Sequence, residues 1–295
     1  MTEAGERDAV FVANRRRLFG LAYRLLGSVQ DAEDVVQDSW LRWRQVDGEI
    51  GLPDVYLRRI TASLSLDRLR VLRRERERYV GPWLPVPELD ELPDSHPADD
   101  NPADRHDRDQ HVSLGFLHLL AQLNPVERAV FVLREAFEDD YSDIADSLGK
   151  TAENCRQIHH RARRKVEEQP ASREAEPEEH ARLFSTFLYA CQTGDVPLIQ
   201  QTLAKEAILY SDGGGKVKAA LRPIYGADKV IRFMLALARK QPPDLSMALE
   251  TVNGRMGLVL RRNGQMQQVI SACVSRQKIE ALYFQLNPDK LGYPA

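Results

Sequence analysis

The strongest chemical signal in the sequence is a run of cationic side chains between residues 150 and 165. Six basic residues stand there against one acid, Glu153, which gives the segment a net charge of +5 in a chain of net charge −3. Such a local excess is the electrostatic footprint of nucleic-acid binding, because arginine and lysine neutralise phosphates. The alternative is a helical hairpin with a solvated charged face. The six cations are Lys150, Arg156, Arg161, Arg163, Arg164 and Lys165.

A second basic segment precedes it, between residues 58 and 78. Eight arginines stand there against Asp67, Glu75 and Glu77, again a net charge of +5. One basic patch is weak evidence for DNA binding, but two patches on separate helices indicate two DNA contacts. The arginines are Arg58, Arg59, Arg68, Arg70, Arg73, Arg74, Arg76 and Arg78.

An acidic helix with two tryptophans is predicted over the sequence DAEDVVQDSWLRW, which begins at Asp31. Ser28 is its expected N-cap, and acids in the first turn suit the helix dipole. Val36, Trp40 and Trp43 share one side at i, i+4 and i+7. The residues alone favour a solvated surface over a dock for a partner helix.

The elements that position the cations of residues 150–165 form a predicted helix-turn-helix, residues 141–166. Ile144, Ala145 and Leu148 give the first helix an apolar face, and Gly149 ends it, because glycine reaches the left-handed conformation. Thr151 is the expected cap of the second helix. That helix buries Cys155, Ile158 and Ala162 and turns its cations outward, as a recognition helix in the major groove does.

Further helices and two linkers complete the first part of the chain. Helices are predicted over 8–28, from Leu52 onward, and over 114–137 with a break at Asn124-Pro125. Residues 81–112 read as an acidic, proline-rich linker whose negative charge could lie against the basic helices when DNA is absent. Residues 169–177 read as a second linker. The predicted domains are therefore 1–80, 113–168 and 178–295.

The last part of the chain changes to an α+β pattern. A helix over 178–192 and another over 227–240 accompany β-prone runs. Asn253-Gly254 and Asn263-Gly264 are hairpin turn signals, so we expect an antiparallel meander. The β-prone runs are 207–211, 246–252, 257–261, 267–275 and 279–286.

Composition excludes several classes of protein. No apolar run is long enough for a transmembrane helix, and the charged N-terminus lacks a signal core, so a cytoplasmic location is expected. Three widely spaced cysteines without a CxxC motif support neither a disulfide framework nor a zinc site. We expect each cysteine to be a buried small apolar side chain. No metal and no cofactor are predicted.

Taken in order, the chain resembles an extracytoplasmic-function (ECF) sigma factor of RNA polymerase. Residues 8–80 resemble sigma region 2, residues 113–168 resemble region 4, and the C-terminal part resembles an NTF2-like, SnoaL-like domain. Three strings, at 79–85, 212–216 and 287–291, resemble the SigJ-like group that carries this domain as a fusion. Val86 departs from the group, which usually has glutamate there. The resemblance implies a multidomain fold of two all-α sigma domains and an α+β cone.

The resemblance also implies the partners and their contact residues. The partners are core RNA polymerase, through its β′ clamp helices and β flap, and promoter DNA. The β′ clamp helices would bind Asp31, Glu33, Asp34, Val35, Gln37, Asp38 and Trp40. The −10 element would contact Ser63, Ser65, Asp67, Arg68 and Arg70, although an ion pair between Asp67 and Arg70 is as well supported. The −35 element would contact Asn154, Arg156, Gln157 and His160 at base edges and Arg161 and Arg164 at phosphates, with His160 equally well a surface histidine without contact.

The C-terminal domain is expected to regulate the sigma regions through contacts between domains. The residues for this role are Trp83, Asp212, Gly213, Gly214, Gly215, Lys216, Asn287, Pro288, Asp289, Lys290 and Leu291. From the residues alone, the three glycines read as a flexible turn, and the spacing of a phosphate loop is missing. An unidentified small ligand in the domain's pocket is a further expected partner.

Two other functions compete with this interpretation. One is a ligand-sensing helix-turn-helix regulator without polymerase contacts, against which the acidic helix argues. The other is a bifunctional protein with a SnoaL-like enzymatic domain. Tyr210, Asp212, Arg222 and Tyr225 are its candidate pocket groups, but they form no recognisable catalytic pair, so we expect no enzyme.

Overall fold

The computed structural model of the protein describes residues 3–46, 48, 50–89, 112–240, 242 and 244–292. The side chains of residues 3–6 are outside this description. The described residues form two compact units. We call residues 3–77 and 119–166 the N-terminal unit, and residues 78–89, 112–118 and 167–292 the C-terminal unit. Each unit is described by itself.

The first three helices of the N-terminal unit pack on one another through an aliphatic core. They are α1 (Glu3–Leu26), α2 (Val29–Arg44) and α3 (Pro53–Arg76). Leu18, Leu21 and Leu25 recur at i, i+3 and i+7 on α1 and are completely buried. Ser28 caps α2, because its side chain accepts a hydrogen bond from the backbone N–H of Asp31, as the sequence predicts.

Four more helices follow, and three of them lie fully or almost fully in the N-terminal unit. They are α4 (Leu114–Leu120), in which the boundary between the units falls, α5 (Pro125–Ala136), α6 (Tyr141–Leu148) and α7 (Ala152–Glu167). Asn124 and Glu127 form a reciprocal capping box at the start of α5. Gly149 has φ +62° and ends α6, and the Thr151 side chain accepts from the N–H of Asn154. Both helix-turn-helix signals are thus confirmed.

The C-terminal unit places helices against a six-stranded sheet. Its helices are α8 (Pro177–Thr193), α9 (Val196–Thr202), α10 (Ala227–Ala238) and α11 (Pro288–Leu291). Its strands are β1 (Leu203–Asp212), β2 (Ile224–Tyr225), β3 (Leu245–Val252), β4 (Arg255–Arg262), β5 (Gln265–Ser275) and β6 (Lys278–Gln285).

The sheet corrects the prediction of a wholly antiparallel meander. Its strand order is β2-β1-β6-β5-β4-β3, and β3 to β6 do form antiparallel neighbours. However, β6 pairs with β1 in parallel, from Leu209 opposite Leu282 to Asp212 opposite Gln285. A parallel pair needs a long crossover, here the chain from β2 to β5, and hairpin turn signals do not reveal it. This register brings the C-terminal ends of β1 and β6 side by side.

The segments predicted as linkers are partly docked on the C-terminal unit. Leu89 forms a bridge with Val252, and Glu88 and Asn253 exchange hydrogen bonds of 2.8 and 3.1 Å. The second segment contains the 3-10 turn Pro170–Arg173, and the N–H of Ala175 donates to the carbonyl of Val274 at 2.8 Å. The predicted boundary at residue 80 therefore differs from the structural division at 77/78. Residues 90–111 lie outside the described residues.

Candidate functional site

Helix α7 exposes the side chains that were predicted to contact the −35 element. Asn154, Arg156, Gln157, His160, Arg161 and Arg164 are all exposed. Glu153 accepts from Arg156 at 2.6 Å and from Gln157 at 3.2 Å, and the guanidinium of Arg156 lies over the ring of Tyr141. Two candidate base readers are thus held by one carboxylate in the free protein, and DNA would have to displace these contacts.

The opposite face of α7 explains how this surface is held. Cys155 and Ala162 are completely buried, as predicted. His159 is also buried, and its two ring nitrogens lie 3.0 Å from the hydroxyl of Tyr141 and 2.8 Å from a carboxylate oxygen of Glu135. Sequence reasoning did not give His159 this structural role, although its position one turn after Cys155 was the available signal. The described residues hold no cluster of three metal-ligating side chains.

Helix α2 presents an acidic surface, but two of its acids are already paired. Asp34, Gln37 and Asp38 are exposed. Glu33 binds Arg15 at 2.7 Å, and Asp31 binds Arg68 of α3 at 2.6 Å. Three acceptor-bearing side chains therefore remain on an outward face that a basic partner could reach.

One predicted polymerase contact on α2 does not belong to that surface. Val35 is only 5 % exposed and packs in the core, so it supports the helix from below. Trp40 is half-buried, and the guanidinium of Arg44 lies 4.9 Å from its ring centroid. Trp43 is buried and donates from its indole N–H to the carbonyl of Arg7 at 3.0 Å.

The residues of α3 predicted to contact the −10 element divide into exposed and buried ones. Asp67 and Arg70 are exposed and form the i,i+3 ion pair at 2.8 Å that the sequence offered as an alternative. Arg68 is exposed and binds Asp31, and Ser63 is half-buried. Ser65 is completely buried, so its predicted contact with DNA does not fit this structure. Its place on the inner side of α3 follows from Thr61 and Leu69, which are buried one turn before and after it.

A buried ion pair joins α3 to the turn before α6. Arg58 donates from Nε and Nη2 to one carboxylate oxygen of Asp139 at 3.1 and 2.9 Å, and both side chains are 8 % exposed. Burial raises the pKa of Asp139, and the charge of Arg58 opposes that rise. Arg58 was predicted only as one of the basic residues, and its pairing with Asp139 was not predicted, because the two positions are far apart in the chain.

In the C-terminal unit, Asp212 is the centre of a buried polar cluster at the ends of β1 and β6. Its side chain is completely buried and accepts from the Tyr79 hydroxyl at 2.5 Å, the Leu84 N–H at 2.9 Å and the Gly214 N–H at 3.1 Å. The Lys290 ammonium lies 2.7 Å away and also donates to the carbonyl of Leu84. We call this cluster, with residues 79–85 and the side chains of Asn287 and Lys290, the Asp212 cradle.

The three predicted regulatory strings meet in the Asp212 cradle. Asn287 donates to the Tyr79 hydroxyl at 2.7 Å, and Lys290 lies 4.2 Å from the centroid of the Trp83 ring. Lys216 pairs with Asp289 at 2.6 Å on the exposed side. Burial raises the pKa of Tyr79, and the hydrogen bond to Asp212 raises it further. The remaining predicted members are Gly213, Gly215, Pro288 and Leu291, of which Pro288 and Leu291 are buried on α11.

The glycines of residues 213–215 are required by close approach as well as by turn geometry. Gly214 has φ +61°, and a Cβ there would lie 2.5 Å from the amide nitrogen of Asn287. Gly215 has φ +72°, and a Cβ there would lie 3.1 Å from the Val80 side chain. Residues 213–215 therefore pack closely against residues 79–85 and the start of α11, and they are not a free turn.

The four candidate catalytic groups do not form one reacting centre. Asp212 is held in the cradle, whereas Arg222 and Tyr225 are exposed. Tyr210 stacks on Tyr283 and contacts the ring of His118. His180 is a core histidine that donates from Nε2 to the carbonyl of Ala272 at 3.0 Å, and burial lowers its pKa.

An apolar cavity of about 570 Å³ lies between helices α8 and α10 and strands β3 to β5. Its floor is made of cross-strand rows that include Leu249, Leu258 and Ile270. Gln268 also lines it and is 8 % exposed, and its buried amide nitrogen has no hydrogen-bond partner among the described residues. This combination suits a mostly apolar ligand with one acceptor atom.

Comparison with known proteins gives consistent matches along the chain. The family model "Sigma-70 region 2" matches residues 10–75, and "Sigma-70, region 4" matches residues 113–166. The chain is 33 % identical to the ECF RNA polymerase sigma factor SigJ of Mycobacterium tuberculosis, over 95 % of this chain and 91 % of that protein. It is 30 % identical to the probable ECF sigma factor SigI of the same species, over 99 % and 97 %.

A solved structure agrees with these matches over almost the whole chain. The crystal structure of Mycobacterium tuberculosis SigJ superposes with a TM-score of 0.75 at 30 % identity and covers 97 % of this chain and 99 % of that one. The two all-α sigma regions and the C-terminal α+β domain expected from the sequence are confirmed by these matches. No helix among the described residues is long and apolar enough to cross a membrane.

Proposed function

The chain belongs to the ECF sigma factors of RNA polymerase, and we propose how its surfaces divide the work of such a factor. A sigma factor binds core polymerase and directs it to promoters, and this protein does so through regions 2 and 4. We propose that the exposed side of α2 docks on the β′ clamp helices, and that region 4 approaches the β flap. The exposed acids Asp34 and Asp38, beside Trp40, support this assignment.

The proposed polymerase contact can be tested on exposed side chains that do not stabilise the fold. Asp34 and Asp38 are exposed, so Asp34→Lys with Asp38→Lys should leave the helix folded and abolish capture of core polymerase. Asp228→Lys with Glu206→Lys, at two exposed acids of the C-terminal unit, is the matched control, because it changes the net charge by the same amount. Equal capture by the α2 variant and the control would remove α2 from the interface.

The promoter contacts are proposed to divide into base readers and phosphate holders on α7. Arg156 and Gln157 are exposed near the start of the helix, where base edges are reached, and Arg164 is exposed near its end. Arg156→Ala or Gln157→Ala should relax preference at the −35 element. Arg164→Ala should weaken binding to all sequences and reduce its salt dependence by about one phosphate contact. Identical effects of both kinds of variant would refute this division. On α3, Ser63, Asp67, Arg68 and Arg70 remain the proposed −10 contacts.

We propose that the C-terminal domain modulates sigma activity through the Asp212 cradle. In the cradle, Asp212 accepts hydrogen bonds from Tyr79 and Leu84. These residues belong to the segment that follows α3 directly in the chain, and α3 carries the proposed −10 contacts. We keep the domains proposed from the sequence, except that we assign residues 78–89 to the C-terminal domain and end region 2 at residue 77. Lys290 is the observation that carries the proposal, because it binds Asp212, the Leu84 carbonyl and the Trp83 ring together.

The experiment is promoter-specific transcription with core polymerase. Lys290→Met should change the rate of initiation at least about threefold, because loss of this cation leaves Asp212 buried without its counter-charge. Lys229→Met, at an exposed lysine of α10, should match the unaltered chain. A chain that ends at residue 168 and one that lacks residues 287–295 extend the series. Equal rates for both lysine variants would contradict regulation through the cradle.

The apolar cavity supports a second role for the same domain, the binding of a small ligand. A hydrophobic dye, anilinonaphthalene sulfonate, should bind the unaltered chain and fluoresce. Leu249→Trp should fill the cavity and reduce that signal, because Leu249 lies on its floor. Ala248→Trp is the matched control, since Ala248 is exposed and its side chain points to the opposite face of β3. Equal signals from the two tryptophan variants would place the dye elsewhere.

A further inference from the structure

A cavity of about 410 Å³ lies inside the N-terminal unit, between the C-terminal half of α3 and the start of α5. Four basic side chains line it, with two acids. The cavity thus joins a helix of sigma region 2 to a helix of sigma region 4. Its charged lining residues are Arg73, Arg76, Arg128, Lys165, Glu77 and Glu127.

Arg128 is the unusual member of this lining. Its side chain is 1 % exposed, and its Nε donates to the carbonyl of Arg24 at 2.9 Å. Its Nη2 is buried and has no hydrogen-bond partner among the residues that the structure describes. Burial lowers the pKa of Arg128 well below the ordinary arginine value, and the positive charge of Arg76 lowers it further. A buried cation beside a like charge is costly unless an anion compensates it.

Among the described residues, the charged groups that line the cavity with Arg128 do not supply that anion. Arg76 donates to the carbonyl of Leu26 at 3.2 Å, and burial lowers its pKa to about 10 against the opposing charges of Asp31 and Glu75. Glu127 is engaged at both carboxylate oxygens, because Lys165 binds one at 2.7 Å and the Asn124 N–H donates to the other at 3.1 Å. Glu77, at the end of α3, is exposed to solvent.

We propose that this cavity binds a small, free, phosphate-bearing anion through Arg128 and Arg76, with the exposed Arg73 adding positive charge, whereas Lys165 is already paired with Glu127. A planar guanidinium group donates two parallel hydrogen bonds to two oxygens of one phosphate. Two guanidinium groups that are shielded from solvent bind the phosphate directly, without an intervening water. A small ion fits better than the backbone of a duplex, because Arg128 is only 1 % exposed and lines a cavity of about 410 Å³, a size that suits a small ion and not a duplex. An anion held here would bridge regions 2 and 4, a role beyond polymerase docking and promoter contact.

The test is calorimetric titration of the full chain with pyrophosphate, at constant ionic strength kept by chloride. Saturable binding is expected. Arg73→Gln should weaken it at least about tenfold, because an exposed cation of the lining is lost. Arg74→Gln is the matched control: it removes the same charge from the next residue, which is also exposed and does not line the cavity. Arg128→Met should abolish binding in a chain that circular dichroism shows to be folded.

Several results would overturn the proposal. Absence of saturable heat with the unaltered chain excludes the site. Equal weakening by Arg73→Gln and Arg74→Gln indicates diffuse attraction by the basic surface and excludes a built site. Displacement of pyrophosphate by a short promoter duplex assigns the cavity to a backbone phosphate and excludes a free anion. Because Arg73→Gln changes an exposed side chain, the test stands even if Arg128→Met fails to fold.

Discussion

Asp212 in the C-terminal unit and Arg128 in the N-terminal unit are both buried charges, but their surroundings differ. Asp212 accepts hydrogen bonds from a hydroxyl and two backbone N–H groups and faces the Lys290 ammonium at 2.7 Å. Within the described part of the chain, Arg128 has the carbonyl of Arg24 as a partner, and its buried Nη2 has no partner. The first site has its counter-charge in Lys290, whereas no described acid faces Arg128 as a counter-charge.

By this difference, the Asp212 cradle stabilises the fold, whereas the cavity at Arg128 is suited to bind an anion. A buried charge with its partners in place resists the removal of any one of them, since each loss leaves another polar group desolvated and unpaired. A buried charge without its partner already carries that cost in the free protein. Neutralising it should therefore do little to the free protein and should chiefly alter what binds there.

The sharpest test of this comparison neutralises each charge in turn. Asp212→Ala should lower the free energy of unfolding of the C-terminal unit by about 3–5 kcal/mol, because it strands the Lys290 ammonium in a buried place. Arg128→Met should change the stability of the N-terminal unit by no more than about 1 kcal/mol, since it removes an uncompensated cation together with one hydrogen bond. Urea denaturation followed by circular dichroism measures both.

Asp289→Ala is the control for charge at the first site. Asp289 binds Lys216, but its side chain is 61 % exposed, so its loss should cost under about 1 kcal/mol. A loss at Arg128 as large as that at Asp212 would mean that Arg128 is already compensated in the free chain. The contrast between the two sites would then disappear.

The next largest effect concerns the buried ion pair of the N-terminal unit, which resembles Asp212 in being complete. Arg58→Met should cost about 3 kcal/mol in urea denaturation, because Asp139 keeps its burial and loses its partner. Arg59→Met is the matched control, since Arg59 lies 3.8 Å from Asp146 and both side chains are mostly exposed. Similar losses for the two variants would show that burial does not decide the contribution of these pairs.

Local patterns predicted the elements of both units well, because the deciding interactions lie within a few residues. Gly149 and Thr151 set the bounds of the helix-turn-helix through contacts with their own neighbours. Asn253 and Asn263 have φ +52° each and form the predicted hairpin turns. Short elements with weak periodicity, α9 and β2, were missed, and the 3-10 turn lay in a segment predicted as linker.

Pairings between distant positions could not be predicted from such patterns. Arg58 and Asp139 meet only because α3 packs near α6, and the parallel pairing of β1 with β6 depends on the whole sheet. Val35 and Ser65 were carried over with a family motif, which does not record which side of a helix is buried. The Asp212 cradle was predicted as three strings, but that one carboxylate organises them is visible only in the structure.

A smaller effect is expected at Gly214, where the Asp212 cradle leaves no room for a side chain. Gly214→Ala should cost about 2 kcal/mol, from the left-handed backbone and from a Cβ that displaces the Asn287 amide. Gly194→Ala is the matched control: Gly194 has φ +75° and open space around it, so only the backbone term of about 1 kcal/mol should remain. Equal costs in thermal denaturation would mean that Asn287 moves aside freely and that the packing there is looser than the structure indicates.

The smallest expected effect is the contribution of Tyr79, in the Asp212 cradle, to the pH dependence of the free energy of unfolding. Tyr79→Phe should cost about 1 kcal/mol near neutral pH, through the hydrogen bonds to Asp212 and Asn287. The pKa of Tyr79 is raised above the ordinary value of 10.0 by burial and by Asp212. Above that ordinary value the unfolded chain releases the proton while the folded chain keeps it, so this contribution to stability is full below about pH 10 and falls as the pH rises further.

Tyr79→Phe lacks this proton, so its free energy of unfolding should fall less steeply than that of the unaltered chain at alkaline pH. Burial also raises the pKa of Tyr210 and of Tyr283, but these residues titrate in both proteins. The difference between the two alkaline denaturation profiles therefore isolates Tyr79. Parallel profiles would show that the Tyr79 hydroxyl is not held by Asp212, and the completeness of the cradle, on which its contrast with Arg128 depends, would be lost.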